Sequence, residues 1–274
     1  MTKTVLLIGG DGFIGTHLKQ KLTDQGHSVN VIDKKSNRDI NNEYSFITDV
    51  NFSHVVFLAA EANLRAVKQN PKEAIKTMTS GLMNSLINYP QAHFTYISSS
   101  MVYGNWDSDS VHEYSAKAPI DLYGQLKLAG EGIVRELHDY WTIIRPTAVY
   151  GANDDPRRVM PFFIERARNN ETLTVKGHSN QLDFTHVDDV VAGIILGMSS
   201  TENRVYNISY GKAVHLENVA KYICEKVGSG TVKVELADMD YPKRGTMCVD
   251  KAKLELGYKP SIDVFAGIDQ LIQG

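Results

Sequence analysis

Val5-Leu6-Leu7-Ile8-Gly9-Gly10-Asp11-Gly12-Phe13-Ile14-Gly15 sets a short, unbroken apolar run directly before glycines at 9, 12 and 15. A run of that length bounded by turn residues reads as a strand buried on both faces. The amphipathic stretch from Phe13 to Gln25 reads as the helix that follows it. Glycines at that junction permit a tight turn and bring backbone N–H groups at a helix N-terminus close to a pyrophosphate. The arrangement of strand, glycines and helix points to a bound dinucleotide.

The same alternation continues outward. Val29–Ile32, Val55–Leu58, Phe94–Ile97 and Thr142–Ile144 are further short apolar runs. Helical patterns separate them at Leu64 to Asn88 and Leu122 to His138. Strands alternating with helices predict an α/β fold built on a doubly wound parallel sheet. Beyond residue 150 the pattern is less regular. Helices are expected at Pro161–Asn170, Asp188–Met198 and Leu216–Val227, with a strand at Val205–Ser209. No repeat, low-complexity tract or linker-like composition interrupts the chain.

Composition excludes several classes. The 274 residues carry a net charge of −3, without the basic excess of a dedicated nucleic-acid binder. No apolar run reaches the roughly 18 residues of a membrane span. The start of the chain lacks a signal-peptide pattern, so a cytoplasmic protein is expected. Cys224 and Cys248 are far apart and read as free thiols in a reducing compartment, and nine scattered histidines form no metal motif, so no metal site is expected.

Two features bear on chemistry. Asp33 closes the second strand, roughly 20 residues past the glycines, where an acidic side chain accepts the ribose 2′-OH and repels a 2′-phosphate. That favours NAD over NADP, although Lys34, Lys35 and Arg38 follow at once and could hold such a phosphate. Tyr123 and Lys127 stand four apart on the helix at 122–138, so they share a face. An ammonium there can lower the phenol pKa from about 10, and the phenolate can take a proton from an alcohol as hydride leaves the same carbon. Tyr222 and Lys226 repeat the spacing but read as a plain helix face. Ser99, at the carboxyl end of a buried strand, has a hydroxyl placed to bond the reacting oxygen.

Taken in order, GGDGFIG at 9–15, Asp33, Asp49-Val50, LAA at 58–60, SSSMVYG at 98–104, YGQLK at 123–127, RPTAVYG at 145–151 and DFTHVDDVV at 183–191 resemble the extended short-chain dehydrogenase/reductases of the NAD-dependent epimerase/dehydratase branch. Lys253 to Pro260 resembles the family's C-terminal ending. The resemblance implies a Rossmann domain over 1–150 with a re-entrant segment at about 184–209. A small α+β substrate lobe would come from 151–183 and 210–274. It implies NAD held by Gly9, Gly12, Phe13, Ile14, Gly15, Asp33, Asp49, Val50, Leu58, Ala59, Ala60, Tyr123, Lys127 and Pro146. Asp49-Val50 is expected to end a third strand and reach the adenine. Tyr123 would be the base, Lys127 its partner on the nicotinamide ribose, and Ser99 the group polarising the sugar oxygen.

The resemblance further implies a nucleotide-sugar substrate held by Ser99, Ser100, Met101, Gln181 and Arg244, and a homodimer built on the helices at 64–88 and 122–138. Departures narrow the reaction. Ser100 and Met101 occupy the positions of the acid pair that 4,6-dehydratases carry, and neither can act as acid or base. A 4-epimerase working through a 4-keto intermediate is therefore favoured, with a 4-ketoreductase or dehydrogenase, of a nucleotide-sugar or another carbonyl, as the alternative. A non-catalytic NAD(H) sensor is the competing binding-protein reading. Leu182 replaces a family arginine that contacts diphosphate, which leaves Arg244, in Tyr241-Pro242-Lys243-Arg244-Gly245, as the main phosphate ligand and Arg157 and Arg158 as possible substitutes. Met78 stands where many members have asparagine.

Overall fold

A computed structural model describes residues 2–106, 108–177, 181–236 and 243–273. Six parallel strands form its central sheet: β1 (Thr4–Ile8), β2 (Ser28–Ile32), β3 (His54–Phe57), β4 (His93–Ile97), β5 (Trp141–Pro146) and β6 (Arg204–Ile208). Their spatial order is β6-β5-β4-β3-β1-β2. Alternate side chains of one strand feed opposite layers, as the period of two requires. Val5 and Leu7 of β1 pack with Leu18, Leu22, Val190 and Ile194, contributed by α1 (Phe13–Asp24) and by the helix Val187–Gly197. Leu6 and Ile8 pack on the other face with Leu82, Leu86 and Val134.

Helices on that second face differ from the single helix expected at 64–88. The chain forms α2 (Leu64–Gln69), α3 (Pro71–Ile75), a wide π-type turn at Lys76–Ser80 and α4 (Gly81–Asn88). Pro71 opens α3 at its first turn because it lacks the N–H and the ring clearance needed to continue α2. The next helix, α5 (Leu122–Leu137), starts at Asp121, whose carboxylate accepts from Gly124 N at 2.8 Å.

The third strand expected before Asp49-Val50 does not form. The residues after Asp33 are spent on two 3-10 turns, Lys34–Ser36 and Glu43–Phe46, which leaves too little chain for a helix and a strand before β3. Leu58-Ala59-Ala60 accordingly follows the third strand of the sheet.

A second hydrophobic core lies beyond the sheet. Phe163, Leu173, Val175, Val219, Ile223 and Ile268 meet in it. They come from α6 (Val159–Arg168), α8 (Leu216–Val227), α10 (Val264–Gln273) and a parallel strand pair, Thr172–Lys176 with Thr231–Glu235, where α7 denotes Val187–Gly197 and α9 Asp250–Leu256. Asp183 joins this part to the sheet end. It accepts from Ser209 Oγ at 3.0 Å, Met247 N at 3.0 Å and Gly211 N at 3.2 Å. Among the described residues, no helix is long and apolar enough to cross a membrane.

Candidate active site

Ligands of open α/β sheets bind beyond the carboxyl ends of the strands, where strand order reverses. Here that point lies between β1 and β3, and a cleft of about 660 Å³ opens there. Its floor at the β1 end is a cradle that side chains would fill. Gly9 has φ +83°, and a Cβ on it would stand 2.6 Å from Ala59 N. A Cβ on Gly15 would stand 2.6 Å from Gly10 O. Gly12 precedes α1 without a side-chain cap, so the first-turn amides beyond it lack intrahelical acceptors and suit a phosphate. Gly9, Gly12, Phe13, Ile14 and Gly15 all line the cleft, as do Leu58, Ala59, Ala60 and Pro146.

At the β2 end, Asp33 accepts from Asp11 N at 3.1 Å and Lys35 N at 2.9 Å. The three cations that follow it are already engaged. Lys34 pairs with Glu73 and lies 3.8 Å from Asp39, and the Lys35 ammonium donates to Asp11 O at 2.8 Å. Arg38 donates to the carbonyls of Val31 and Ser45. All three line the cleft, but each has partners to give up, and a 2′-phosphate would meet the Asp33 carboxylate there. This donor set fits NAD. Asp49 and Val50, by contrast, lie outside the cleft, exposed beside a shallow hollow with Phe46, Phe52 and Tyr89. They correct the expectation of an adenine contact, and the missing strand is the reason.

The chemistry-bearing residues converge at the ends of β4 and β5. Ser99, Tyr123 and Lys127 line one cleft. Ser99 Oγ accepts from Met101 N at 3.2 Å, which leaves its own hydrogen to donate to the Tyr123 oxygen. Burial pushes the Tyr123 phenol up to about 12, against the Ser99 bond and the Arg158 charge that pull it down. Burial pushes the Lys127 ammonium down to about 7, opposed by the Glu131 carboxylate. Lys127 donates to Ile97 O at 2.6 Å and stands 5.8 Å from the Tyr123 ring centroid. Burial thus dominates at both groups, raising the phenol and lowering the ammonium. Met78 is buried with Val67, Ala74 and Leu126, against Tyr123.

Toward the other end of the cleft, Ser100 Oγ donates to Thr147 Oγ1 at 3.0 Å, and both are buried. Met101 lines the cleft beside Arg244, whose Nη2 is 2.7 Å from Met101 Sδ. Arg244 also donates to Gly104 O and lies 5.5 Å over the Trp106 ring. Burial lowers it to about 10, and among the described residues no carboxylate pairs with it. Tyr241 and Pro242 of its motif lie outside the described residues.

Gln181 does not line the cleft. It sits in a two-residue strand opposite His215, and its neighbour Leu182 takes the lining position, because adjacent strand residues face opposite ways. The arginine pair divides: Arg157 is exposed and tied to Asp155, whereas Arg158 lines the cleft, 3.5 Å from Asp154. Three residues went unnoticed in the sequence. Asp154, raised to about 6 by burial, and Glu61 line the cleft. Glu131 lies beneath it, and its place four residues after Lys127 was the available signal.

Residues 5–209 match the model of the NAD dependent epimerase/dehydratase family. The chain belongs to that family. Among its relatives, UDP-glucuronate 4-epimerase 5 of Arabidopsis thaliana is 28% identical over 98% of this chain and 74% of its own. The structure of UDP-glucose 4-epimerase from Thermotoga maritima, with UDP-glucose, superposes with a TM-score of 0.91 at 26% identity, covering 98% of this chain and 97% of that one. MoeE5, in complex with UDP-glucose and NAD, gives 0.89 at 25% identity, with 98% and 97% covered. NAD is the cofactor of this family, and the cleft with its Gly9–Gly15 cradle is where it fits.

Proposed function

We propose that this protein is an NAD-dependent nucleotide-sugar 4-epimerase. One observation carries the reading: a single cleft runs from the Gly9–Gly15 cradle past Ser99, Tyr123 and Lys127 to Arg244. NAD, held by the Gly9–Gly15 cradle and Asp33, would supply reversible hydride-accepting chemistry beside the sugar C4.

The chain's own residues do the rest. Gly9, Gly12 and Gly15 let the backbone approach the pyrophosphate, and Asp33 accepts from the adenosine ribose. Lys127, with one donor spent on Ile97 O, offers its others to the second ribose and its charge to the phenol. Tyr123 takes the C4 hydroxyl proton and later gives it back. Ser99 donates to the same oxygen and to the phenolate. Arg244, held by a carbonyl and an aromatic face rather than a carboxylate, takes the diphosphate. Ser100 and Met101 supply no carboxyl group for removing a proton at C5. The four acids lining the cleft are engaged: Asp154 by Arg158, Glu61 by Asn63 N, Glu73 by Lys34, and Asp33 by Asp11 N and Lys35 N.

The relatives that act on UDP-glucose and UDP-glucuronate make these the first substrates to try. A second copy of the chain would pack on α4 and its neighbours, where Met83 and Ile87 are exposed, and light scattering reads that dimer. The test of the activity is incubation of the NAD-loaded protein with each sugar nucleotide and NMR of the product. A C4 epimer should form and should be lost in Tyr123→Phe. No epimer from any UDP-, GDP-, dTDP- or CDP-sugar overturns the reading.

A further inference from the structure

Tyr123, Lys127 and Glu131 follow one another at steps of four along α5, so all three lie on one helical face. Glu131 does not touch the cleft, yet its carboxylate is saturated with donors. Arg145 Nε reaches Oε1 at 2.7 Å and Arg145 Nη2 reaches Oε2 at 2.6 Å, a two-pronged pair across α5 and β5. Ser98 Oγ donates to Oε1 at 2.7 Å, and Arg135 Nη2 to Oε2 at 3.1 Å. Glu131 is 0% exposed and Arg145 1%. The remaining Arg145 donor is also used: Nη1 meets Tyr103 Oη at 2.8 Å and Glu113 O at 3.1 Å, and Tyr103 passes its hydrogen to Asn207 Oδ1 at 2.7 Å.

A buried ion pair adds little net stability over an apolar pair of equal size, so its presence calls for a use beyond holding the fold. Its position supplies one. Ser98 lies between Ile97, whose carbonyl receives the Lys127 ammonium, and Ser99, which faces the phenol. Bonding Ser98 to Glu131 therefore fixes the end of β4 against the turn of α5 that carries Lys127. The charged and titratable groups around Lys127 are Tyr96 from β4, Tyr123 and Glu131 from α5 itself, and, behind Glu131, Arg145, Arg135, Lys117 and Glu113. Glu131 is the carboxylate that acts directly on a lysine otherwise stripped of solvent.

We propose that Glu131 is a positioning residue for this site: locked by Arg145 and Ser98, it aligns Lys127 with the end of β4 and adds one carboxylate's attraction to the buried ammonium. The inference rests on the epimerase reading for its catalytic consequence, but the state of Lys127 can be read without turnover.

The experiment is NMR titration of protein labelled at lysine Cε, with Lys127→Met to assign the resonance. Wild-type Lys127 should titrate near 7, and Glu131→Gln should lower its midpoint by about 1 pH unit, since an adjacent anion favours the charged form. A midpoint unchanged in folded Glu131→Gln overturns the proposal. Glu131→Asp keeps the charge beside Arg145, so it preserves the fold where Glu131→Gln does not, while withdrawing the carboxylate by one methylene. It should lower kcat about tenfold with KM altered less than about twofold, and move the alkaline limb of the pH profile with the Lys127 midpoint. An Asp variant that matches wild type in both midpoint and kcat also overturns it. Absence of turnover in wild type counts against the epimerase reading alone, and the titration still decides the role of Glu131.

Discussion

Replacing Asp33 by serine tests how the cleft chooses its dinucleotide. Asp33 is the acceptor for two amides, Asp11 N at 3.1 Å and Lys35 N at 2.9 Å, and it lines the cleft at the end proposed for the adenosine ribose. A hydrogen bond to a charged group contributes about 1.5–3 kcal/mol, and each 1.4 kcal/mol is about tenfold in affinity. Losing such a bond to the ribose should weaken NAD binding by about 10- to 100-fold. Removing the repulsion of a 2′-phosphate should not by itself create an NADP site. Lys34 would have to leave Glu73, Lys35 would have to leave Asp11 O, and Arg38 would have to leave two carbonyls. Calorimetric titration with NAD and NADP at one ionic strength measures both affinities. Asp33→Ser should bind each cofactor weakly, with NADP no tighter than NAD. A variant that binds NADP more tightly than NAD refutes the conclusion that these cations are engaged.

Other consequences follow from the same geometry. Thr142 Oγ1 lies 3.2 Å from His93 Nε2 and donates to Gly197 O, so His93 carries its proton on Nε2, and its Nδ1 is buried without a partner among the described residues. Burial, helped by the nearby charges of His54, Lys3 and His138, lowers His93 to about 4. The unfolded chain, with its histidine near 6.5, then binds the proton first as pH falls. Stability present above pH 6.5 should drop by about 1.5 kcal/mol on going to pH 5 from this residue, and urea melts of His93→Gln should show a shallower loss than wild type. Arg244→Gln should weaken nucleotide-sugar binding by about 10- to 100-fold while leaving NAD affinity unchanged, because the contact proposed for it is to the diphosphate; equal losses for both ligands would contradict that. Gly9→Ala should abolish NAD binding and lower stability by about 1–3 kcal/mol, since its Cβ meets the Ala59 backbone at a positive φ; calorimetric melting checks the second effect.

Where a local pattern was itself the cause, the sequence could be read closely. Short apolar runs became parallel strands because both faces of β1, with Val5 and Leu7 on one side and Leu6 and Ile8 on the other, are buried. Leu216–Val227 forms a helix with the expected bounds, ended by Gly228 in the left-handed conformation. The misreadings came where likeness replaced local counting. Asp49-Val50 looked like a strand end because of the family pattern, but the chain after Asp33 is too short to build that strand. Leu64–Asn88 has helical periodicity throughout, and Pro71 was the visible sign that it breaks. Gln181 was misassigned by a single residue, which in a strand turns the side chain to the other face. The Glu131–Arg145 pair was invisible because charged residues on a helix ordinarily face water, and only the tertiary fold brings β5 against α5.

The central claim is that hydride leaves the sugar C4 and returns to the same carbon within one cleft. Sugar nucleotide deuterated at C4, incubated with the NAD-loaded protein, tests it most directly. The account predicts a C4 epimer that keeps its deuterium, with no net accumulation of reduced cofactor. A product that has lost the label, or an oxidised sugar formed together with lasting reduced nicotinamide, would contradict it.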